Sequence, residues 1–224
     1  AAKFPNVLLC HHVLGQGYRN PALTAKMAAT LQMLSGNRFI LGIGAGWRDD
    51  EYKAYGYEFP RPAIRFAELE EMIQIRRLMW TQDAPTFTGK HFHITEAAAP
   101  PKPEIVPPVC IGAYGEQIGL PMVGRLADMW NASTQGNLER WLVKRDIVRA
   151  SAEKSGRNPS DIHISLTVEK PLPNTDEESE KLRSELQTMA DHGVEHFVMD
   201  FGHPQTTEPI LRFVEEVMTP LRRG

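Results

Sequence analysis

Two adjacent histidines and three closely spaced glycines are the residues of this sequence whose types and spacing best suit chemistry. His11 and His12 lie inside an apolar run that reads NVLLCHHVL. Consecutive residues of a strand point to opposite faces, so one imidazole is predicted to be buried with a hydrogen bond and the other exposed. Gly42, Gly44 and Gly46 lie in a second run, RFILGIGAG. They remove side chains where a flat ligand or a neighbouring backbone approaches, and tight strand packing explains them equally well.

The composition of the chain excludes several classes of partner. Its 224 residues carry 25 basic and 28 acidic side chains, a net charge of -3, so no global field attracts nucleic acid or an anionic membrane. There is no run of about 18 to 20 apolar residues and no leader-like segment at the start. Cys10 and Cys110 are too few for a disulfide framework and lack metal-ligand spacing. We therefore expect a cytoplasmic protein that binds a small molecule, with no metal site.

The elements that must position these residues alternate between strands and helices. Predicted strands cover residues 6–14, 38–46, 109–113, 129–132, 162–168 and 196–201, and a hairpin surrounds Gly89. Helical patterns follow Pro21, cover 63–80, lie within 115–129, begin after Asn137, and cover about 182–190 and 210–221. The first helix places Leu23, Met27, Leu31 and Leu34 on one face, and residues 47–62 are predicted to be a long loop.

This alternation is the signature of βαβ units with a parallel sheet. With six strands and six helices, the chain is predicted to be a single domain over residues 1–224 that forms part of a (β/α)₈ barrel. A full barrel has eight such units and about 250 residues, so the first two βα units are expected to be absent.

Five segments in this order resemble the luciferase-like superfamily of flavin and deazaflavin oxidoreductases. They read RFILGIGAGWRDDEY, YEFPRPAIRFAELEEMIQIRRLMW, TFTGKHFHI, PPVCIGAYGEQ and RLADMWNAS. The resemblance covers essentially the whole chain and implies a (β/α)₈ barrel that begins here just before its third strand. It also implies a non-prolyl cis peptide at the end of that strand. Counted back from Arg19-Asn20-Pro21, that bond is predicted between His11 and His12, which favours cofactor contact for both imidazoles.

The resemblance further implies a cofactor site at the carboxyl ends of the strands. The loop at residues 112–117 is similar to a glycine-rich phosphate loop, although it contains no lysine and Glu116 is unfavourable beside an anion. An ordinary turn explains the loop almost as well. The cofactor-binding residues implied are His11, His12, Gly44, Ala45, Gly46, Gly112, Ala113, Tyr114, Gly115, Trp130 and Asn131.

Substrate contacts are predicted at Trp47 and His203, which follow strand ends, and the catalytic residue stays unassigned. Glu51 is expected to orient the loop that begins at Trp47. For Asp49 and Asp50, an acidic first turn of a helix is at least as good an explanation as a functional role.

The function implied is that of an oxidoreductase or monooxygenase. It would hold coenzyme F-420, which we favour, or FMN, and carry out hydride transfer or oxygen activation on a small organic substrate. The family often forms homodimers, so a homodimer is expected. One alternative is a non-catalytic flavin-binding protein similar to the non-fluorescent flavoprotein of luminous bacteria. Another is a lyase or aldolase, for which Lys170 is the nearest strand-end lysine.

Overall fold

The computed structural model of the chain describes residues 1–203 and 206–222, in which strands and helices alternate. The strands are β1 Leu9–Cys10, β2 Leu14–Gly15, β3 Phe39–Gly44, β4 Phe87–Thr88, β5 His93–Ile94, β6 Val109–Gly112, β7 Met129–Ser133, β8 His163–Glu169 and β9 His196–Asp200. The helices are α1 Pro21–Leu34, α2 Asp49–Ala54, α3 Pro62–Thr81, α4 Gly119–Leu126, α5 Leu138–Lys154, α6 Asp176–Asp191, α7 Glu208–Arg212 and α8 Thr219–Leu221, with a π-helical turn at Phe213–Met218. Within the described ranges, none of these helices is both long and apolar enough to cross a membrane.

The chain divides into two compact units. The first consists of Ala1–Trp130 with Leu142–Ile162, and the second of Asn131–Trp141 with His163–Gly224. In the first unit β3 pairs in parallel with β1 and β2 on one side and with β6 on the other. In the second unit β8 and β9 are parallel. The single domain over residues 1–224 stays a prediction, and residues 204, 205, 223 and 224 lie outside the part described.

The first predicted strand is interrupted, which corrects the sequence analysis. Instead of one strand over residues 6–14, the chain forms the short β1 and β2, and the peptide bond between His12 and Val13 is cis. The cis bond predicted between His11 and His12 was therefore wrong by one residue. A 3₁₀ turn at Gln16–Tyr18 separates β2 from Arg19.

Helix α1 begins as predicted but presents a different face to the core. Pro21 occupies its first turn, and the Asn20 side chain accepts hydrogen bonds from the amides of Ala22 and Leu23 at 2.9 and 3.3 Å. The predicted apolar face is instead largely exposed, with Leu23 at 53% and Leu34 at 78% relative exposure. The buried face carries the small residues Ala25, Ala28 and Ala29. Small side chains allow close approach to α3, where the Trp80 indole N–H donates to the carbonyl oxygen of Ala25 at 2.9 Å.

Two further differences concern helix boundaries. The stretch 47–62 was predicted to be a loop throughout, but it contains α2, whose first turn is the acidic Asp49–Glu51. The irregular pattern at 115–129 becomes a short helix that begins at Gly119 and has Pro121 in its first turn. Proline is tolerated there because the amide it lacks would have no partner within the helix. The longer loop that results, between β6 and α4, contains the residues predicted to bind phosphate.

Glu71 of α3 holds the β4–β5 hairpin through the backbone. Its carboxylate accepts hydrogen bonds from the amides of Lys90, His91 and Phe92 at 2.7, 2.9 and 2.8 Å. Burial opposes ionisation of Glu71, but the three donors outweigh it and lower the pKa of the carboxyl below its ordinary value.

A Glu71→Gln variant is expected to lose about 1 to 2 kcal/mol of unfolding free energy at neutral pH. The pKa of Glu71 is lowered in the folded state, so its contribution is complete above the unfolded pKa and is lost as the pH falls through the folded pKa. Urea unfolding at pH 7 and pH 3.5 measures this difference, which should shrink at the lower pH. The exposed Glu104→Gln serves as the control. An equal loss at both pH values would contradict the role given to the carboxylate.

Candidate functional site

The chain between β1 and β2 lies directly on glycines of β3 and β6. A Cβ atom built on Gly42 would lie 1.7 Å from the carbonyl oxygen of His11. A Cβ on Gly112 would lie 2.9 Å from Cγ2 of Val13, and one on Gly44 would lie 3.2 Å from the same atom. The absence of a side chain at Gly42 therefore allows close approach of the His11 backbone, one of the explanations left open by the sequence, while Gly44 and Gly112 leave room for the Val13 side chain. We call residues 11–13 the bulge.

The two histidines of the bulge differ in their surroundings. His12 is exposed, whereas His11 is half-buried and packs edge-to-face on Phe39 with ring centroids 5.4 Å apart. The buried Nδ1 of His11 has no hydrogen-bond partner within the described residues, which differs from the expectation of a hydrogen-bonded imidazole. Burial, with a smaller contribution from the charge of Arg19, lowers the pKa of His11. His11 is therefore neutral at pH 7.

A buried arginine holds the segment that follows β3. The Arg65 guanidinium donates to the carbonyl oxygens of Ala45 at 3.0 Å, Gly46 at 3.4 Å and Pro60. Its carbon atom Cζ lies 3.8 Å from the centroid of the Phe59 ring. Arg65 thus joins the end of β3, with the predicted site residues Ala45 and Gly46, to the far end of the long connection before α3.

Tyr52 of α2 fills the space beside three glycines. A Cβ on Gly15 or on Gly46 would lie 2.6 Å from its hydroxyl oxygen, and one on Gly17 would lie 2.8 Å from its ring. Gly46 also has φ of +79°, which favours glycine. Tyr52 is 2% exposed, and burial raises the pKa of its hydroxyl. The turns after β2 and β3 are therefore held against one aromatic ring.

Tyr18 extends this aromatic cluster to Glu51. Its ring stacks on Tyr52 with centroids 4.3 Å apart, and its hydroxyl donates to the Glu51 carboxylate at 3.2 Å. Burial, followed by the nearby Tyr52 and Glu51, raises the pKa of Tyr18 to about 12. Because that hydroxyl stays protonated, it remains a donor to Glu51, in keeping with the expectation that Glu51 orients the loop.

The other charged residues of this segment pair with their neighbours in sequence. Asp49 pairs with Lys53 and Asp50 with Arg48, each at 2.7 Å, and all four side chains are largely exposed. Both acids lie in the first turn of α2, where carboxylates stabilise the helix dipole. Trp47, predicted to contact substrate, is 82% exposed. Its indole ring is therefore accessible to a bound molecule.

The loop after β6 is held by two side chains from later elements. The indole N–H of Trp130 donates to the carbonyl oxygen of Ala113 at 2.9 Å. The ammonium of Lys144, on α5, donates to the carbonyl oxygen of Tyr114 at 2.9 Å and to Oε1 of Glu116 at 2.7 Å. Its Nζ also lies 3.9 Å from the centroid of the Tyr114 ring.

These contacts orient two successive peptide units. In a trans peptide the N–H points opposite to the C=O. With the carbonyls of Ala113 and Tyr114 directed toward Trp130 and Lys144, the amides of Tyr114 and Gly115 point away from those side chains. A Cβ on Gly115 would meet no atom within 4 Å, so there is open space beside the loop. Backbone N–H groups directed in this way are donors that an anion can use.

Asn131 and His203 belong to the second unit. The Asn131 amide nitrogen donates to Oγ of Ser165 at 2.9 Å, and its amide oxygen accepts from the Thr167 hydroxyl at 3.0 Å. His203 is exposed in the loop after β9. Lys170, the strand-end lysine that a lyase would need, pairs with Glu185 at 3.1 Å. Over residues 1–203 and 206–222, no cluster of three or more histidine, cysteine or acidic side chains is suited to a metal ion.

A sequence profile of the luciferase-like monooxygenase family matches residues 10–212. The chain belongs to this family. The resemblance that rested on the five segments of the sequence is thereby confirmed.

Two curated relatives within the luciferase-like family are about one-third identical to the chain. The F420-dependent glucose-6-phosphate dehydrogenase of Amycolatopsis mediterranei (strain U-32) is 32% identical over 165 residues, 70% of this chain and 49% of its own. The phthiodiolone/phenolphthiodiolone dimycocerosates ketoreductase of Mycobacterium kansasii is 33% identical over 214 residues, 88% of this chain and 57% of its own. The chain spans about half the length of these relatives.

A solved structure confirms the fold class. The coenzyme F420 dependent tetrahydromethanopterin reductase from Methanopyrus kandleri superposes with a TM-score of 0.81 at 16% identity, over 96% of this chain and 83% of its own. The predicted luciferase-like (β/α)₈ class is thus correct.

Three residues that shape the site of this luciferase-like chain were missed in the sequence. Lys144 lies three residues after the buried Trp141 and four before the buried Val148, so helical spacing marks it as inward-facing. Arg65 likewise begins the buried stripe of α3 that continues through Leu69 and Met72. Val13 gave no such signal, because its position follows from the interruption of the first strand.

Proposed function

We propose that this chain forms the cofactor-binding part of an oxidoreductase that holds coenzyme F-420, or alternatively FMN, and acts on a small organic substrate. The observation that carries the proposal is the junction at Gly112. There the side chain of Val13, from the bulge, meets the first residue of the loop at 112–117. The proposed backing surface and the proposed anion-binding loop therefore adjoin, as a planar ring system with a phosphorylated side chain requires.

The planar ring is proposed to rest on the outer faces of the bulge and of the segment after β3. His11, His12, Gly44, Ala45 and Gly46 stay the proposed contacts. The Nδ1 atom of His11 is buried, so contact between His11 and the ring is proposed through the rest of the residue. Arg65 and Tyr52 contribute by fixing the backbone at Ala45 and Gly46.

The residues proposed to hold the phosphoryl group are Gly112, Ala113, Tyr114 and Gly115. Their role rests on backbone N–H groups, which bind an anion without a side-chain cation. Trp130 acts here through Ala113, whose carbonyl it binds, and is a positioning residue. For Asn131 cofactor contact stays a proposal, as substrate contact does for Trp47 and His203.

The bound cofactor would supply hydride transfer, or oxygen activation in the case of FMN. The protein would bind it, orient it and exclude water. We favour coenzyme F-420 because a relative that is 32% identical to the chain over 165 residues is named as F420-dependent. FMN stays the alternative that the resemblance to the family implies.

Fluorescence and absorption titration of the purified chain with F-420, and separately with FMN, tests this proposal. Saturable binding of F-420 in the micromolar range or tighter, with FMN weaker, is the expected result. Tighter FMN binding would reverse the choice of cofactor, and no saturable binding of either would overturn the proposal. Binding without turnover on any alcohol, aldehyde or ketone offered would favour a non-catalytic flavin-binding protein.

We also propose that two copies associate through α1. Leu23, Met27 and Leu34 of this helix are 50% or more exposed, and a cavity of about 510 Å³ lies beside them against Phe39 and Leu41 of β3. Apolar surface of this kind marks association sites. Sedimentation velocity at micromolar concentration would then give the mass of two chains. A monomer at 100 micromolar would contradict it.

We extend the proposal to one domain over residues 1–224 and to a reducing, cytoplasmic location. Both cysteines, Cys10 and Cys110, are free thiols, as is usual in that compartment.

A further inference from the structure

The ammonium of Lys144 reaches the loop at 112–117 from α5. Its side chain is 2% exposed, although lysine is rarely buried so completely. Its three donor directions face the Tyr114 carbonyl at 2.9 Å, the Glu116 carboxylate at 2.7 Å and the Tyr114 ring, 3.9 Å from its centroid. Of these three partners, only Glu116 carries a charge.

The two members of this ion pair differ in exposure. The Glu116 side chain is 44% exposed, and it lies on the loop itself, ahead of α4. Lys144 is enclosed and is also bound to a backbone carbonyl that does not depend on Glu116. Removal of the partner of a buried charge is costly, so Glu116 can leave Lys144 only when another negative group takes its place.

We propose that Glu116 is a resident counter-ion of Lys144, and that the phosphoryl group of the cofactor displaces it on binding. This inference rests on the proposed function, because it concerns the same loop. The amides of Tyr114 and Gly115 would receive the phosphoryl oxygens, and Lys144 would supply the charge that the sequence of the loop lacks. The carboxylate of Glu116 would turn outward into solvent.

Because Glu116 must be displaced, it weakens the binding of a phosphorylated cofactor. A carboxylate on the loop repels an incoming anion and also satisfies the cation that the anion needs. A glutamine at the same position can still donate or accept a hydrogen bond, but it neither repels the anion nor neutralises Lys144. Affinity for phosphorylated cofactors is therefore limited by Glu116, whereas affinity for the ring system alone is not.

Equilibrium binding of FMN and of riboflavin, which lacks the phosphoryl group, separates these effects. For the whole chain at low ionic strength, Glu116→Gln is expected to tighten FMN binding about tenfold and to leave riboflavin binding within twofold of its original value. F-420 is measured in parallel and is expected to follow FMN. Glu153→Gln is the matched control, because Glu153 is an exposed carboxylate on α5, the same helix as Lys144.

A second variant tests the cation itself. Lys144→Met keeps much of the buried side-chain volume but removes the charge, so it is expected to weaken FMN binding by tenfold or more while riboflavin binding changes little. Circular dichroism and thermal unfolding establish whether this variant is folded. If Lys144→Met does not fold, the Glu116→Gln variant, which changes an exposed side chain, still tests the inference.

The outcomes distinguish the inference from the proposed function. If FMN or F-420 binds the original chain but Glu116→Gln changes neither dissociation constant by more than twofold, the displacement is refuted and the cofactor site stands. An equal gain for riboflavin and FMN would also refute it, because the phosphoryl group would then be irrelevant. If no flavin or deazaflavin binds any of the variants, the proposed function fails and the inference falls with it.

Discussion

A Gly42→Ala variant is expected to lose about 3 kcal/mol or more of unfolding free energy, and with it the binding of flavin and deazaflavin. The methyl group would lie 1.7 Å from the carbonyl oxygen of His11, which is a backbone atom and cannot rotate away. Either β3 or the bulge must move. Because the bulge is the proposed backing of the cofactor ring, both responses disturb the site.

Chemical denaturation of the original protein and of Gly42→Ala measures the loss of stability, and flavin titration of the same two proteins measures the loss of binding. Gly115→Ala is the control for the denaturation measurement alone, because a Cβ at Gly115 meets no atom within 4 Å but Gly115 belongs to the proposed phosphate loop. It should change stability by no more than about 0.5 kcal/mol. A Gly42→Ala protein as stable as the control would show that the bulge does not rest on β3 as described.

Arg65→Met is the second substitution with a large expected effect, about 3 kcal/mol of unfolding free energy. It removes the donor for three carbonyl groups, those of Ala45, Gly46 and Pro60, and it also removes the cation over Phe59. The carbonyl oxygen of Ala45 is part of a buried residue and would be left without this donor.

Its functional consequence differs from that of the glycine variant. The fold of the sheet should persist, while the connection between β3 and α3 loosens. Faster hydrogen exchange confined to residues 45–60 is therefore expected, with weaker cofactor binding. Arg61→Met provides the comparison, since Arg61 is exposed and only one turn away in the chain. Similar exchange rates in both variants would contradict the bridging role of Arg65.

Most of the alternation of strands and helices follows from local pattern, and the exceptions have physical causes. β3 was predictable because all six residues from Phe39 to Gly44 are buried, which requires apolar residues on both faces. The first strand was not, because its interruption depends on glycines of other strands, far along the chain. The spacing correctly placed the leucines and the methionine of α1 on one face. It could not say whether that face or the alanine face packs against the neighbouring helix.

The residues of the candidate site also fall into those that the local sequence indicates and those that it does not. The glycines of β3 were singled out because close approach requires residues without side chains, and the loop at 112–117 was singled out by the resemblance to the family. The cation beneath that loop was not found, because Lys144 follows Gly115 by nearly thirty residues and reaches it only through packing of α5. In the proposal, a loop that lacks a lysine is completed by a lysine of α5, the third element after it.

The Val13 side chain packs against Gly42, Gly44 and Gly112. We therefore expect the residue at position 13 to determine the depth of the proposed pocket. A Cβ would collide at Gly42 and Gly112 and would be tightly packed at Gly44, so the sheet leaves little room for a larger residue. The size of the side chain at position 13 would instead set the distance between the backbone of the bulge and the sheet. Among homologous barrels, differences in the height of the ring-binding surface would then be encoded at this one position, and redesign for a bulkier cofactor would begin there.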